Sequence, residues 1–281
     1  MIFVSSSCVK TKSIREAVLI LSAHGFRNIE LSGGTEFYPD ILEDLLELKK
    51  QYGLTYLLHN YFPPPRESVV LNLASLDNRI YSLSMDHFKR MIECAVRLEV
   101  KKIGIHAGFY IDFRLEDIGR DITKVPVNDR AEAMRRFISG YRHLRDLSGE
   151  IPLYIENNVI SAANYALYKE NPFMLTCRRE FLELLTVLHF PLLLDVAHLK
   201  VSCSTLGLGF KEELAALISS SDYIHVSDND GQSDLNRSLC AGSDMFQALC
   251  ACDLTGKVVT IEVYDGVDMV KESWELLRSR I

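Results

Sequence analysis

Short runs of β-branched and aliphatic residues alternate along the chain with longer stretches whose apolar positions recur at helical spacing. The apolar runs predict strands over Ile2 to Ser6, Asn28 to Leu31, Thr55 to Leu58, Lys102 to Ile105, Leu153 to Ile155, Leu192 to Leu194, Tyr223 to Val226 and Val258 to Val263. Helical periodicity predicts helices near 13–24, 40–51, 83–98, 129–147, 177–187, 210–219, 243–250 and, last, 267–279. Strands that return through helices belong to parallel sheets. Eight such βα units predict an α/β chain folded as a single (β/α)₈ TIM barrel over residues 1–281, with its active site at the C-terminal ends of the strands.

Local signals punctuate that pattern. Ser13 with Glu16 has capping-box spacing ahead of Ala17, Val18, Leu19 and Leu21, and Gly25 stands where that helix should stop. Pro152 and Pro191 each open a strand, where a missing N–H costs little. Pro63, Pro64 and Pro65 forbid regular structure just after the third strand. Segments 107–128 and 157–176 read as long loops, which in compact domains tend to be lids or binding loops.

Composition narrows the class. The chain has 281 residues, 48% apolar and 25% charged, enough for a substantial core. Its longest uncharged apolar stretches fall far short of the ~18 residues that span a bilayer, and Met1 to Cys8 lacks a basic region, so no secretory signal is expected and a cytoplasmic home follows by default. Seven scattered cysteines without a CxxC pair argue for reduced thiols, with Cys250 and Cys252 as helix-end packing. A net charge of −7 with no Lys/Arg run beyond pairs argues against a broad nucleic-acid surface, while leaving a locally basic groove and a homo-oligomer open.

The chemistry lies at the strand ends. The third strand ends at His59, the fourth at His106, the fifth at Glu156, the sixth at Asp195 with His198 nearby, the seventh at His225 and the eighth at Glu262. Asp, Glu and His make up about one residue in six, so six consecutive hits by chance have odds on the order of one in a thousand. Singly, each has a plainer reading: a hydrogen-bonded core histidine, a turn-capping Asp195, a Glu262 paired with a helix. Together, acids buried at a barrel mouth with no Lys or Arg at any strand end demand a cation. Mixed N/O ligation suits Zn²⁺, Mn²⁺, Co²⁺ or Fe²⁺ rather than Ca²⁺. His24, His87, His143 and His189 fall away from strand ends and read as structural.

These residues resemble the xylose-isomerase-like TIM-barrel superfamily, which holds endonuclease IV and sugar isomerases and epimerases such as tagatose epimerase. The resemblance runs over nearly the whole chain and rests on His59 with Asn72-Leu73-Ala74-Ser75, His106-Ala107-Gly108, Glu156-Asn157, Asp195-Val196-Ala197-His198, His225-Val226-Ser227-Asp228-Asn229-Asp230-Gly231 with Asp234, and Ile261-Glu262. It implies one to three divalent ions. An endonuclease-like pattern implies one zinc on His59, His106 and Glu156, a second on Glu156, Asp195, His225 and Glu262, and a third on His198, Asp234 and a histidine where this chain has Asn236. That substitution weakens the third site.

An epimerase-like pattern implies a single ion on Glu156, Asp195, His225 and Glu262, holding two adjacent oxygens of a keto sugar. Glu156 and Glu262 are then the acid/base pair acting through an enediolate. His198 becomes a substrate contact, joined by Tyr61, Phe62, Arg66 and Asn157. A carbohydrate isomerase or epimerase acting on a sugar or sugar phosphate is the favoured expectation. An endonuclease-like phosphodiesterase acting on abasic DNA comes second, with dehydration or cleavage of a cyclitol or sugar acid and a carbohydrate-binding barrel without catalysis behind it. Specificity is assigned to loops 60–70, 107–128 and 157–176, where Arg66, Arg114, Tyr165 and Lys169 are cations or hydroxyls able to grip an anion but more simply solvated.

Overall fold

The computed structural model describes residues 1–67, 69–117 and 122–280. Position 68 and positions 118–121 of two expected specificity loops therefore lie outside the described residues. Eight parallel strands close into a barrel in sequence order: β1 (Ile2–Ser5), β2 (Asn28–Leu31), β3 (Thr55–His59), β4 (Ile103–His106), β5 (Leu153–Glu156), β6 (Leu192–Asp195), β7 (Tyr223–Val226) and β8 (Val258–Ile261). The expected (β/α)₈ fold is present, with strand limits shifted by one or two residues at some ends.

Around the barrel lie α1 (Ile14–Ala23), α2 (Ile41–Tyr52), α3 (Asn78–Arg97), α4 (Arg130–Ser148), α5 (Ala162–Tyr168), α6 (Arg178–Leu185), α7 (Val196–Leu206), α8 (Phe210–Ile218), α9 (Asp244–Cys250) and α10 (Val267–Arg278). Ser13 caps α1 as its spacing predicts, accepting from Glu16 N at 3.2 Å, and Gly25 has a φ of 91°. Two helices escape the sequence pattern. Segment 157–176, read as a loop, contains α5, capped by Ser161. Helix α7 follows β6 without any connecting residue, because Asp195 ends the strand and caps the helix with the same side chain. No described helix is long and apolar enough to cross a membrane. All seven cysteines are free.

Alternation along the strands sorts the interior into two levels, since side chains two apart share a face. Phe3, Leu57, Tyr154, Leu193 and Tyr223 pack together low in the barrel. Two residues further along the same strands stand His59, Glu156, Asp195 and His225. The register sets His106 beside Glu156 and Asp195 beside His225. It also sets Gly104 beside His59. A methyl group at Gly104 would come 2.8 Å from His59 Cδ2 and 2.7 Å from Leu193 Cδ2, so the missing side chain makes room for the imidazole.

Candidate metal centre

The strand ends converge. Glu156 Oε2 lies 2.8 Å from His59 Nε2 and 2.9 Å from His106 Nε2. Its other oxygen lies 3.3 Å from His225 Nδ1, and Glu262 Oε2 approaches that same nitrogen at 3.3 Å. Asp195, His225 and Glu262 form one grouping able to hold an ion; His59, His106 and Glu156 form another, and Glu156 also groups with Asp195 and His198. Glu156 therefore stands between the two ends of the cluster. His24, His87, His143 and His189 take part in none of the groupings found among the described residues.

Each donor is aimed by its neighbours. Asp195 Oδ1 accepts the His198 N–H at 2.7 Å as the α7 cap. Glu262 Oε1 accepts from Ser7 Oγ at 3.1 Å and Tyr264 Oη at 3.0 Å, which leaves Oε2 turned to the cluster. His198 Nδ1 donates to the Asn157 carbonyl at 2.8 Å, a group that can only accept, so Nε2 is presented to Asp234 Oδ2 at 3.3 Å.

Electrostatics shows what the arrangement lacks. Burial penalises every charge here, and it raises the Asp195 carboxyl to about 7 despite the attraction of His198. Against burial, His106 and His59 hold Glu156 well below the usual carboxylate range, and His225 holds Glu262 down to about 2. Burial likewise opposes the imidazolium forms. The facing carboxylates nevertheless raise His59 through Glu156, His198 through Asp195 and Asp234, and His225 through Glu30. The imidazoles are thus the cationic partners set against these acids. Even so, Glu156 Oε1, His225 Nδ1 and Asp234 Oδ1 are buried without a hydrogen-bond partner, which fits donors awaiting a divalent ion.

The expected substrate contacts are placed unequally. A cavity of about 200 Å³ opens beside His106, His198 and Asp234, with Tyr61, Phe109, Phe113 and Phe173 among its walls. The three phenylalanine rings meet edge to face with centroids 5.1–6.0 Å apart. Tyr61 therefore borders this space. Phe62 instead is wholly buried in the main core and is not among the walls of that cavity. Asn157 has its side-chain amide engaged: it donates to the Asp195 carbonyl at 3.0 Å and accepts the Asp195 N–H at 2.7 Å, which ties it to the end of β6. The Arg66 guanidinium lies over the Phe37 ring at 4.8 Å. Arg66, Arg114, Tyr165 and Lys169 are not among the walls of the 200 Å³ cavity.

One participant escaped sequence reasoning. Glu30, on β2, is fully buried beneath the cluster, with its carboxylate 3.0 Å from His225 Nε2. Its signal in the sequence is a lone acid inside the run Asn28-Ile29-Glu30-Leu31, one residue before the end of its strand.

The sequence matches the xylose isomerase-like TIM barrel model over residues 18–280, and the chain belongs to that family. Among solved structures it is similar to a D-tagatose 3-epimerase-like protein, with a TM-score of 0.75 and 18% identity over 99% of this chain and 96% of the other. It is also similar to endonuclease IV from Thermus thermophilus, with a TM-score of 0.63 and 16% identity over 99% and 97%. A third likeness is to 3-keto-D-glucoside 4-epimerase from E. coli, with a TM-score of 0.64 and 15% identity over 99% and 97%. Comparison with curated proteins by sequence gives no match. At these identities the structural likeness establishes the fold alone.

Proposed function

We propose that the protein is a divalent-metal-dependent carbohydrate isomerase or epimerase. The observation that carries this reading is that Glu156 Oε1 and Glu262 Oε2 approach the same His225 nitrogen, each at 3.3 Å, with Asp195 beside them. Two acids that share a pocket and both stay ionised against burial suit proton removal and return at one carbon. Glu156, Asp195, His225 and Glu262 would hold the ion; Zn²⁺, Mn²⁺ and Co²⁺ all suit the donor set. When bound, it would supply positive charge to adjacent oxygens of a keto sugar, acidifying the neighbouring C–H. Glu156 or Glu262, as carboxylate, would accept that proton; its counterpart, first protonated from solvent, would deliver one to the opposite face, and the proton left on the first acid would return to solvent. Ser7 and Tyr264 hold Glu262 in place for this role, and the cavity beside His106 and His198 takes the rest of the substrate.

A second reading, endonuclease-like phosphodiester hydrolysis, draws support from His59 and His106, which converge on Glu156 Oε2 as a second ion would require. Asn236 counts against its three-metal form: Asn236 lies 3.4 Å from Asp234 Oδ2 through its amide nitrogen and accepts from Ser227 Oγ, where a third imidazole would be needed.

Solvent-deuterium exchange into a panel of ketoses, with Mn²⁺ or Co²⁺ present, tests the first reading. Wild type should exchange, and Glu156→Gln and Glu262→Gln should each reduce exchange by at least about a hundredfold. Full exchange in both variants refutes the assignment. Incision of an abasic-site duplex by zinc-loaded protein, falling steeply with added salt, would instead favour the second reading.

A further inference from the structure

We propose that Glu30 is the positioning residue of the metal centre, fixing the His225 ring so that Nδ1 is offered as the ligand atom. The inference rests on the metal reading above. Both Glu30 oxygens lie 3.0 Å from His225 Nε2. Oε2 also accepts from the Tyr223 hydroxyl and, at 2.8 Å, from Thr260 Oγ1. No Lys or Arg is among these partners, so His225 is the one group in the bracket able to balance the acid's charge.

A carboxylate can only accept, hence it keeps a proton on Nε2, and Nδ1 on the other side of the ring is the nitrogen that would offer its lone pair to an ion. On that side stand Glu156 Oε1 and Glu262 Oε2, and Nδ1 itself has no hydrogen-bond partner. One nitrogen is therefore tied to the barrel interior and the other is free at the cluster, the arrangement that orients a ligating histidine. Thr260 sits beside His225 in the β7–β8 register, and Tyr223 is two residues before it on the same strand. Glu30, Tyr223 and Thr260 thus form a bracket from β2, β7 and β8 around one imidazole.

Glu30 also groups geometrically with His59 and His225 as a possible ligand set. Its Oε2 is already engaged by two hydroxyls and an imidazole, which favours the bracket.

The test is Co²⁺ titration of metal-free wild type, Glu30→Gln, Glu30→Leu and Tyr223→Phe, followed by visible absorption for affinity and stoichiometry, with melting of each metal-free protein alongside. Glu30→Leu should weaken Co²⁺ binding about 10–100-fold at unchanged stoichiometry. Glu30→Gln, whose carbonyl still accepts the Nε2 proton, should lose less, and Tyr223→Phe should lose a few-fold. Metal-free Glu30→Leu should melt lower than wild type, because it orphans the Tyr223 and Thr260 hydroxyls and the His225 N–H, whereas Glu30→Gln, which still accepts, should melt close to wild type while losing affinity. That split between affinity and melting separates positioning from a merely structural role.

Wild-type affinity in Glu30→Leu overturns the proposal, as does loss of a whole equivalent of Co²⁺, which would make Glu30 a ligand. Should Glu30→Leu fail to fold, unchanged affinity in both Glu30→Gln and Tyr223→Phe overturns it. A wild type that binds no Co²⁺ brings down the metal reading and this inference with it; binding that is indifferent to Glu30 defeats this inference alone.

Discussion

The two ends of the barrel hold charge in opposite ways. At the floor, Lys102, just before β4, reaches Asp222, just before β7, at 2.7 Å, and Asp222 also accepts the Tyr154 hydroxyl at 2.8 Å. Lys102 covers the Tyr154 ring at 4.4 Å, so its stem and its charge are both used. At the mouth, Glu156, Asp195, Glu262 and Asp234 have imidazoles as their only cationic partners among the described residues, and several buried polar atoms stay unpaired. The floor is a finished ion pair that stabilises the fold; the mouth is an unbalanced one that the fold tolerates. Burying acids without lysine or arginine costs stability, a cost that the proposed bound ion would offset.

Metal addition should break this contrast most strongly. Zn²⁺, Mn²⁺ or Co²⁺ at a thousandfold excess over Kd should stabilise wild type by about 4 kcal/mol. Asp195→Asn, which can still cap α7, should melt higher than wild type without metal and lose most of that gain, as read by calorimetry with and without chelator. A metal-free Asp195→Asn that melts lower would mean the mouth is not under electrostatic strain.

Gly104 lies between the two levels, and Gly104→Ala sharpens the comparison. The added methyl must push Leu193 toward the floor or His59 at the mouth, costing about 1–3 kcal/mol. Metal affinity should fall as well; a variant with lowered melting but unaltered affinity would show that His59 has room to spare.

Lys102→Met should have the smallest effect. Loss of the Asp222 pair and the aromatic contact should cost about 1 kcal/mol in urea unfolding, with metal affinity unchanged. Any loss of affinity would show that the floor and the mouth are coupled rather than separate.

How much of this was legible depended on periodicity. Strands such as Tyr223–Val226 and capped helices such as α1 declare themselves, because local spacing and caps are written in consecutive residues. Helix α7 did not, since Asp195 serves as strand end and helix cap at once and leaves no turn to read. Phe62 and Asn157 have the residue types of substrate contacts, and only packing turned the first into the core and spent the second on Asp195.

By itself the sequence determined the eight βα units and the acids and imidazoles that finish their strands, because alternation of period two and 3.6 fixes which residues face inward. Tertiary structure alone decided that Glu156 stands between two groups of donors, that Gly104 clears a space for His59, and that Glu30 reaches His225. Those facts depend on barrel closure, which brings residues from distant parts of the chain into hydrogen-bonding distance of one another, a proximity that no local pattern encodes.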